Sequence, residues 1–376
     1  MMKKVPRKLR IVAGGPYELP NPPFETHYDD SEDPRIRELA IQYGLETLVK
    51  DAQSELEIFF RLQNYVKVKM VEHGWSFHEM GQPAKNATEV LRAVEQGIRF
   101  HCYYHAMVFS DFACALGYVT RTVGARMPDV EFDATRKDNV GHEVVEIWSN
   151  TLGKWILIDC DTNSHYEKDG IPQSASELCI AANKDLGADV KMVFGEYLPP
   201  MTRDTGGTSF VKGTMMTPND VEKMEKIFME NQVMDYYKTI VVMSRNDRYA
   251  APDEKPEVLA YIPEGENPLL VYNGEAYHEV DLITSRQSVV DYSVNQTAIK
   301  VELMSQHLDC PEVRITLFHN MPNFFAFQEY DGSHWIACKK INEKYIREGM
   351  NEFRFRAVNR RGIPGGEAFV QIMFEK

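Results

Sequence analysis

One cysteine of this chain has neighbours that could take part in chemistry. Cys102 lies between His101 and His105 in the stretch RFHCYYHAMVFSDFACALGY, residues 99–118, where an apolar helical pattern begins. A thiol in this position has three interpretations: a metal ligand, a small buried side chain, or a nucleophile at the start of a helix. Each of them makes a different prediction about the residues that follow.

The spacing gives little support to a metal site. Thiolate and imidazole groups are zinc ligands, but a structural zinc site needs four of them, and the chain contains no paired CxxC spacing. Neighbouring residues 101 and 102 also point about 100° apart on a helix, which strains joint coordination of one ion. The sequence therefore predicts no metal ion and no cofactor.

A purely structural role suits Cys114 better than Cys102. Cys114 lies between Ala113 and Ala115 in the middle of the helical stretch, where a free cysteine commonly acts as a small apolar side chain. Cys102 has polar and aromatic neighbours instead. At a helix start, unpaired backbone N–H groups and the helix dipole stabilise a thiolate, which is the attacking form of cysteine.

A cysteine nucleophile needs a histidine base and a carboxylate, and one predicted hairpin supplies both. The runs HEVVEIWS and KWILID are strand-like, and SNTLG between them suits a turn. A two-residue turn at 150–151 would place His142 opposite Asp159, with Cβ atoms about 4.5–5.5 Å apart. A register shift of one residue would put Cys160 there, and a shift of two would put Asp161 there.

The order of these residues resembles the core of the transglutaminase-like superfamily, which has a papain-type Cys–His–Asp arrangement. Three segments carry the resemblance: HCYYHAMVFSDFACALGYVTRTVG, GHEVVEIW and KWILIDCDTN. The family cysteine opens a helix that ends in Leu-Gly, and an arginine follows in the next strand; Leu116-Gly117 and Arg121 match these features. The family histidine opens a strand, as His142 does.

The resemblance also favours one aspartate. The family aspartate lies four residues after a tryptophan, which matches Asp159 after Trp155 and favours Asp159 over Asp161. The resemblance covers about residues 45–200, and EVLRAVEQGIRFHC and DTNSHYEKDGIPQSASEL are similar to a bacterial subgroup of transglutaminase-domain proteins. It implies a catalytic triad of Cys102, His142 and Asp159.

The sequence departs from the family pattern at two positions. Val144 stands where a tryptophan often follows the histidine, and Cys160 stands where a proline often follows the aspartate. Both changes alter the walls of the site and neither removes a triad residue. The calcium-binding features of animal crosslinking enzymes and the zinc-binding CxxC pairs of peptide N-glycanases are missing, so neither activity is expected.

Other residues near the triad also have two interpretations. Gln96 lies six residues before Cys102, as does the oxyanion glutamine of papain-like proteases, but we favour a solvated helix end. Glu146 is expected at the surface or beside the site. The remaining neighbours are aromatic or imidazole side chains: Trp148 and Trp155 as core residues, His165 and Tyr166 bordering the cleft, and Tyr103, Tyr104 and His105 either lining the cleft or packing.

The predicted fold class is α+β. Helical patterns dominate up to residue 118, including one over residues 45–71, and short strands follow. We predict a papain-like, transglutaminase-like core of helices on a small antiparallel sheet, followed by an all-β, immunoglobulin-like sandwich. The predicted segments are 1–44 (lead-in and first helix), 45–250 (catalytic domain, with a helix at 217–231) and 251–376 (sandwich).

Composition limits the partners of the protein. The net charge of −14, with no basic run after the first ten residues, argues against nucleic acid as a partner. No apolar stretch approaches the roughly 20 residues needed to span a bilayer. The start of the chain does not read as a signal peptide, so the cytoplasm is the default location, and export is expected if the start has been trimmed. The sequence does not indicate the oligomeric state.

The expected function is thiol-dependent acyl transfer on a peptide, protein or other amide. Cys102 would attack the carbonyl, His142 would move the proton and Asp159 would orient the imidazole, with a thioester intermediate. We expect water rather than an amine to resolve the thioester. The alternative is an inactive scaffold whose sandwich binds a glycan or protein through four aromatic residues: Tyr261, Tyr272, Phe324 and Trp335.

Overall fold

A computed structural model describes residues 8–70, 73–74, 76, 80–126, 141–196, 233–251, 253–263, 281–305 and 311–375. These residues form a mixed α/β structure. Its α-helices are α1 Pro34–Gln42, α2 Leu45–Val49, α3 Glu55–Met70, α4 Ala87–Glu95, α5 Cys102–Ala115, α6 Ala175–Asp185 and α7 Gln287–Val290, and a 3₁₀ helix covers Val233–Lys238. The predicted helix at 217–231 lies outside the described residues.

Nineteen strands are present in the described part of the chain. They are β1 Lys8–Gly15, β2 His27–Tyr28, β3 Thr120–Arg126, β4 Gly141–Ser149, β5 Lys154–Asp159, β6 Ser164–Lys168, β7 Ile171–Pro172, β8 Lys191–Phe194, β9 Thr239–Met243, β10 Arg245–Asn246, β11 Val258–Tyr261, β12 Leu282–Thr284, β13 Thr297–Ser305, β14 Glu312–His319, β15 Phe324–Tyr330, β16 Trp335–Cys338, β17 Ile341–Tyr345, β18 Gly349–Asn359 and β19 Pro364–Glu375.

The chain divides into two compact units. One unit is Pro22–Tyr292, and the other combines the start of the chain up to Asn21 with everything from Ser293 onward. The predicted division into residues 1–44, 45–250 and 251–376 stays a prediction. Two groups of strands nevertheless pair across the predicted boundaries: β1 joins β19, and β11 and β12 join β9.

A nine-stranded sheet organises the Pro22–Tyr292 unit. Its strand order is β12-β11-β9-β3-β4-β5-β6-β7, and β8 also pairs with β6. Helix α5 packs against β3 and β4, and α1, α3 and α4 pack around α5. Every residue of α5 from Tyr104 to Ala113 is buried, which is the pattern of a helix surrounded by other elements rather than one at the surface.

The hairpin has a different register from the one predicted. Trp148 pairs with Trp155 and Val145 with Ile158, so the register is shifted by two residues relative to the prediction. The predicted two-residue turn was wrong because Ser149 and Lys154 close a longer loop. Gly153 in that loop has φ +63, a left-handed conformation that glycine adopts without steric cost.

The helical pattern over residues 45–71 is interrupted. Helix α2 ends at Val49 and α3 begins at Glu55, so the prediction of one continuous helix was wrong. The Ser54 hydroxyl accepts a hydrogen bond from the Glu57 N–H at 3.1 Å, and the Glu57 carboxylate accepts one from the Gln53 N–H at 2.7 Å. These side chains bind the unpaired N–H groups at a helix start, which favours a new helix at this point.

The second unit consists of antiparallel strands. A five-stranded sheet has the order β1-β19-β18-β15-β16, and a three-stranded sheet has the order β13-β14-β17. Residues of both sheets form one core cluster, among them Ile299, Ile315, Phe355 and Val370. In β18 the side chains alternate: Phe355 and Ala357 are buried in that cluster, while Arg354 ion-pairs at the surface.

None of the described helices is long and apolar enough to cross a membrane.

Candidate active site

Helix α5 begins at Cys102, as predicted. His101 is the N-cap in an extended conformation, and its Nδ1 accepts a hydrogen bond from the Tyr103 N–H at 3.4 Å. The thiol of Cys102 is half-buried and faces the start of β4, where the Glu143 N–H donates to Sγ at 3.3 Å. A backbone donor and the positive end of the helix dipole therefore both face the sulfur, and both stabilise a thiolate.

The structure brings His142 and Asp159 together. Nε2 of His142 lies 2.7 Å from Oδ2 of Asp159, whose side chain is only 2% exposed. The other Asp159 oxygen accepts hydrogen bonds from the backbone N–H groups of Asp161 and Thr162, at 3.0 and 3.1 Å. With its carboxylate fixed by two backbone donors, Asp159 holds the imidazole ring in one orientation and leaves Nδ1 for another partner.

Cys102 lies beside this pair. Its Sγ, a ring nitrogen of His142 and a carboxylate oxygen of Asp161 all lie within 4.8 Å of one another. Sulfur, imidazole and two carboxylates, Asp159 and Asp161, thus meet at the point where α5, β4 and the end of β5 converge. Three donor atoms of these types can also hold a divalent metal ion.

Electrostatics favour a charged imidazole in this arrangement. Burial lowers the pKa of His142, but the Asp159 charge, the hydrogen bond to it and the nearby Cys102 together raise that pKa well above its ordinary value. Burial likewise raises the pKa of Asp159, and His142 outweighs it, so that this pKa lies below its ordinary value. The pair is therefore imidazolium and carboxylate at neutral pH, and an imidazolium beside a thiol favours the thiolate.

Asp161 has surroundings of its own. Its Oδ2 lies 2.7 Å from Nδ1 of His73, and its backbone carbonyl accepts a hydrogen bond from the buried Lys67 ammonium at 2.5 Å. Its Oδ1 lies 3.7 Å from Nε2 of the fully buried His105. The sequence did not single out His73 or Lys67, because their separation from Asp161 along the chain, 88 and 94 residues, gives no local signal.

The charge state of Asp161 follows from these neighbours. Burial raises the pKa of Asp161, whereas His105, His73 and Lys67 lower it, and the result is well below the ordinary value. Burial also lowers the pKa of His105 to about 3, so that His105 is neutral at pH 7. We therefore assign the lowered pKa of Asp161 to His73 and Lys67, and a carboxylate stands beside the thiol.

Glu146 in β4 and Arg121 in β3 form a buried ion pair between these two strands. The Arg121 guanidinium donates to Glu146 Oε2 from Nε at 2.7 Å, and neither side chain is exposed to solvent. The other Glu146 oxygen accepts a hydrogen bond from the N–H of Ala175, at the start of α6. The expectation of Glu146 at the surface was wrong, because an ion pair with Arg121 compensates the burial of its charge, and its expected place beside the site stays a prediction.

Glu55 fixes the turn of the hairpin that carries His142 and Asp159. Its carboxylate accepts hydrogen bonds from the Ser149 hydroxyl at 2.6 Å and from the N–H groups of Asn150 and Thr151 at 3.1 and 3.0 Å. One side chain at the start of α3 thereby satisfies three donors of a loop about 95 residues away. No local sequence pattern indicates this contact.

The structure also places the other predicted neighbours. Gln96 is exposed at the C-cap of α4, which agrees with the favoured interpretation. Trp148 and Trp155 are buried and contact each other edge to face at 5.4 Å, as expected of core residues.

Two of the tyrosines and the histidines of this region pack into the core. Tyr104 and His105 are buried, and burial raises the pKa of Tyr104 to about 12. His165 and Tyr166 are also buried; His165 stacks on Phe60 with ring centroids 4.0 Å apart. His165 and Tyr166 are neighbours in β6 and face opposite sides of the sheet, His165 towards Phe60 and Tyr166 towards Tyr237, and their expected place at the border of the cleft stays a prediction.

One aromatic residue near the site was missed. Tyr236 lies in the 3₁₀ helix with its ring centroid 6.3 Å from that of His142, and it packs against the core cluster beneath the sheet. Nothing in the local sequence relates Tyr236 to His142, 94 residues earlier in the chain.

No protein-family model matches the chain, and no curated protein matches it. Among solved structures, the crystal structure of red sea bream transglutaminase is a neighbour with a TM-score of 0.25 and 9% sequence identity. That match covers 92% of this chain and 73% of the transglutaminase chain.

Proposed function

We propose that the protein is a thiol-dependent acyl-transfer enzyme that hydrolyses an amide bond, with Cys102, His142 and Asp159 as its catalytic triad. One observation carries the proposal: a thiol at a helix start lies within 4.8 Å of an imidazole, and that imidazole bonds a buried carboxylate at 2.7 Å. A nucleophile, a base and an orienting group in contact are the recurring arrangement of cysteine hydrolases.

Each residue has one step in the proposed reaction. The Cys102 thiolate attacks the carbonyl carbon, and the His142 imidazolium gives its proton to the leaving amine as the carbon–nitrogen bond breaks. A thioester to Cys102 remains. His142 then takes a proton from water, the hydroxide displaces the sulfur, and the carboxylic acid leaves. Asp159 keeps its charge throughout and stabilises the imidazolium.

We propose water as the acceptor in preference to an amine. Both would enter by the same step, since an amine attacking the thioester gives a new amide and regenerates the thiol. The substrate is proposed to be a peptide, protein or other amide. We also propose that the Pro22–Tyr292 unit has a transglutaminase-like core and that the unit from Ser293 is an immunoglobulin-like sandwich.

Alkylation tests the nucleophile without knowledge of the substrate. We expect iodoacetamide to label Cys102 faster than Cys114 at pH 7, because Cys114 lies in the middle of α5, and burial raises its pKa well above the ordinary value. Equal labelling of both thiols in the folded protein would contradict an activated Cys102.

Turnover tests the reaction. A panel of amide and ester substrates, each with and without a primary amine, separates hydrolysis from transfer. Cys102→Ala should abolish turnover and leave the melting temperature nearly unchanged, with Cys114→Ala as the matched control. Full activity in a folded Cys102→Ala protein would refute the proposal.

A second candidate function has an observation of its own. The unit from Ser293 has a cavity of about 580 Å³ whose wall includes Phe318, His319, Phe324 and Lys340, and the His319 and Phe324 rings stack 3.9 Å apart. Cavities of this size and character hold small ligands. The cavity supports the binding half of the alternative, in which this unit binds a glycan.

The four aromatic contacts of that alternative differ in placement. Phe324 lines the cavity, Trp335 is half-buried with the Arg356 guanidinium 4.1 Å from its ring centre, Tyr261 is buried in the other unit, and Tyr272 lies outside the described residues. A glycan array probed with the full-length Cys102→Ala protein tests the alternative. Binding that Phe324→Ala abolishes, together with an inert thiol in the unmodified protein, would favour the scaffold.

A further inference from the structure

Asp161 supplies a donor atom that the proposed triad does not use. Its side chain is 10% exposed, and its Oδ1 has no hydrogen-bond partner among the residues that the structure describes. A buried carboxylate oxygen without a hydrogen bond is costly, so this atom is able to accept a further ligand. A carboxylate oxygen of Asp161 also lies within 4.8 Å of the Cys102 sulfur and of a His142 nitrogen.

The three donor atoms suit a zinc ion. Zinc binds thiolate, imidazole and carboxylate ligands, and three protein ligands with an open fourth position are common for it. One thiolate and one carboxylate together neutralise its two positive charges. Tetrahedral ligands at about 2.0–2.3 Å from zinc lie about 3.3–3.8 Å from each other. Movements of about 1 Å in the ligand atoms, by side-chain rotation, would therefore bring the three groups to coordination distance.

The outer contacts of these ligands are already in place. Histidine ligands commonly donate their second ring nitrogen to a carboxylate, and Nε2 of His142 bonds Asp159 at 2.7 Å. Carboxylate ligands are in turn held by hydrogen bonds, and Oδ2 of Asp161 bonds His73 at 2.7 Å. Asp159 also accepts the Asp161 N–H at 3.0 Å, so one residue positions two of the three ligands.

We propose that Cys102, His142 and Asp161 bind a zinc ion reversibly and that the bound ion blocks the thiol. This is a regulatory site on the proposed active centre and not a cofactor for the reaction. Its inhibitory consequence rests on the proposed function, whereas the binding itself does not. Zinc would hold the sulfur that attacks and the imidazole that moves the proton, so metal binding and acyl transfer exclude each other.

Binding is measured on the full-length protein by competition for zinc chloride with a chromogenic chelator in metal-free buffer. We expect one zinc ion per chain. Cys102→Ala should abolish this binding, and Asp161→Asn should weaken it at least tenfold. Cys114→Ala removes a thiol from the same helix and should leave binding unchanged. Circular dichroism checks that each variant is folded.

Alkylation of Cys102 provides the second measurement. Equimolar zinc should slow the iodoacetamide reaction of the unmodified protein at least tenfold and that of Asp161→Asn much less. Equal zinc affinity in the unmodified protein and folded Asp161→Asn, or unchanged alkylation in saturating zinc, would overturn the proposal. Zinc binding in a protein that turns over no amide would instead count against the proposed function alone, and turnover without protection by zinc would count against the metal site alone.

Discussion

Replacing the orienting carboxylate gives the sharpest test of the triad. In Asp159→Asn, the amide oxygen can still accept the N–H groups of Asp161 and Thr162, which bond the native carboxylate at 3.0 and 3.1 Å. The fold should therefore survive. The amide NH₂ would face Nε2 of His142, which must then accept a hydrogen bond. The ring proton moves to Nδ1, and the histidine can no longer take a proton on the side of Cys102.

The size of the effect follows from the lost contact. A hydrogen bond to a charged group contributes about 1.5–3 kcal/mol, and each 1.4 kcal/mol is a factor of ten, so the imidazolium–thiolate pair should become about 10- to 150-fold less populated. The second-order rate constant for iodoacetamide at Cys102 should fall by the same factor at pH 7. Mass spectrometry of the peptide measures it, with the Cys114 peptide as internal reference.

Asp161→Asn is the matched control for this substitution. It removes a second, largely buried carboxylate near the thiol that does not bond His142, so the alkylation rate should stay unchanged or rise as a negative charge is lost. A rate within threefold of the unmodified protein for Asp159→Asn, with a large decrease for Asp161→Asn, would exchange the roles of the two aspartates and refute the assignment.

Three further predictions concern stability, measured by urea unfolding. Folding raises the pKa of His142, so the protonated histidine stabilises the folded protein. This stabilisation is complete below the unfolded pKa of about 6.5 and is lost as the pH rises through the pKa of the folded state. Over that pH range the free energy of unfolding of the unmodified protein should therefore fall by more than that of His142→Gln. Glu55→Gln should cost about 1–3 kcal/mol, since three loop donors lose a charged acceptor. Glu38→Gln, at an exposed position of α1, is its control. Glu146→Leu should cost about 3–5 kcal/mol, because the buried Arg121 loses its nearest carboxylate and keeps the more distant Asp291, whose Oδ1 lies 3.9 Å away. Arg121→Met in that background should recover part of the loss; no recovery would contradict a buried ion pair.

The elements that carry Cys102, His142 and Asp159 could be predicted because their signals are local. Helix α5 starts at Cys102 and ends just before Leu116-Gly117, with Gly117 at φ +91. Strand β5 spans Lys154–Asp159, the residues of the predicted KWILID run. Hydrophobic period and cap residues determine such boundaries within a few positions, so one sequence suffices to find them.

The contacts that set the register and join distant segments could not be predicted. The hairpin loop is held by hydrogen bonds to Glu55 in helix α3. The pairing of β1 with β19 joins the two ends of the described chain. Both depend on surfaces that form only when the chain folds. In β11 the composition indicates a strand but not its sheet, which is why Val258–Tyr261 was counted with the sandwich although it pairs with β9.

Asp159 and Asp161 were hard to distinguish from the sequence as the partner of His142. The two residues lie two positions apart at the end of β5, so both carboxylates can reach the side of the sheet where His142 lies. Two negative charges there would disfavour a thiolate on Cys102. His73 and Lys67 offset one of them by holding the side chain and the carbonyl of Asp161, and His142 offsets the other. A histidine and a lysine that belong to no triad therefore hold the Asp161 carboxyl group beside the thiol, and a motif of three residues describes only part of the polar contacts around Cys102.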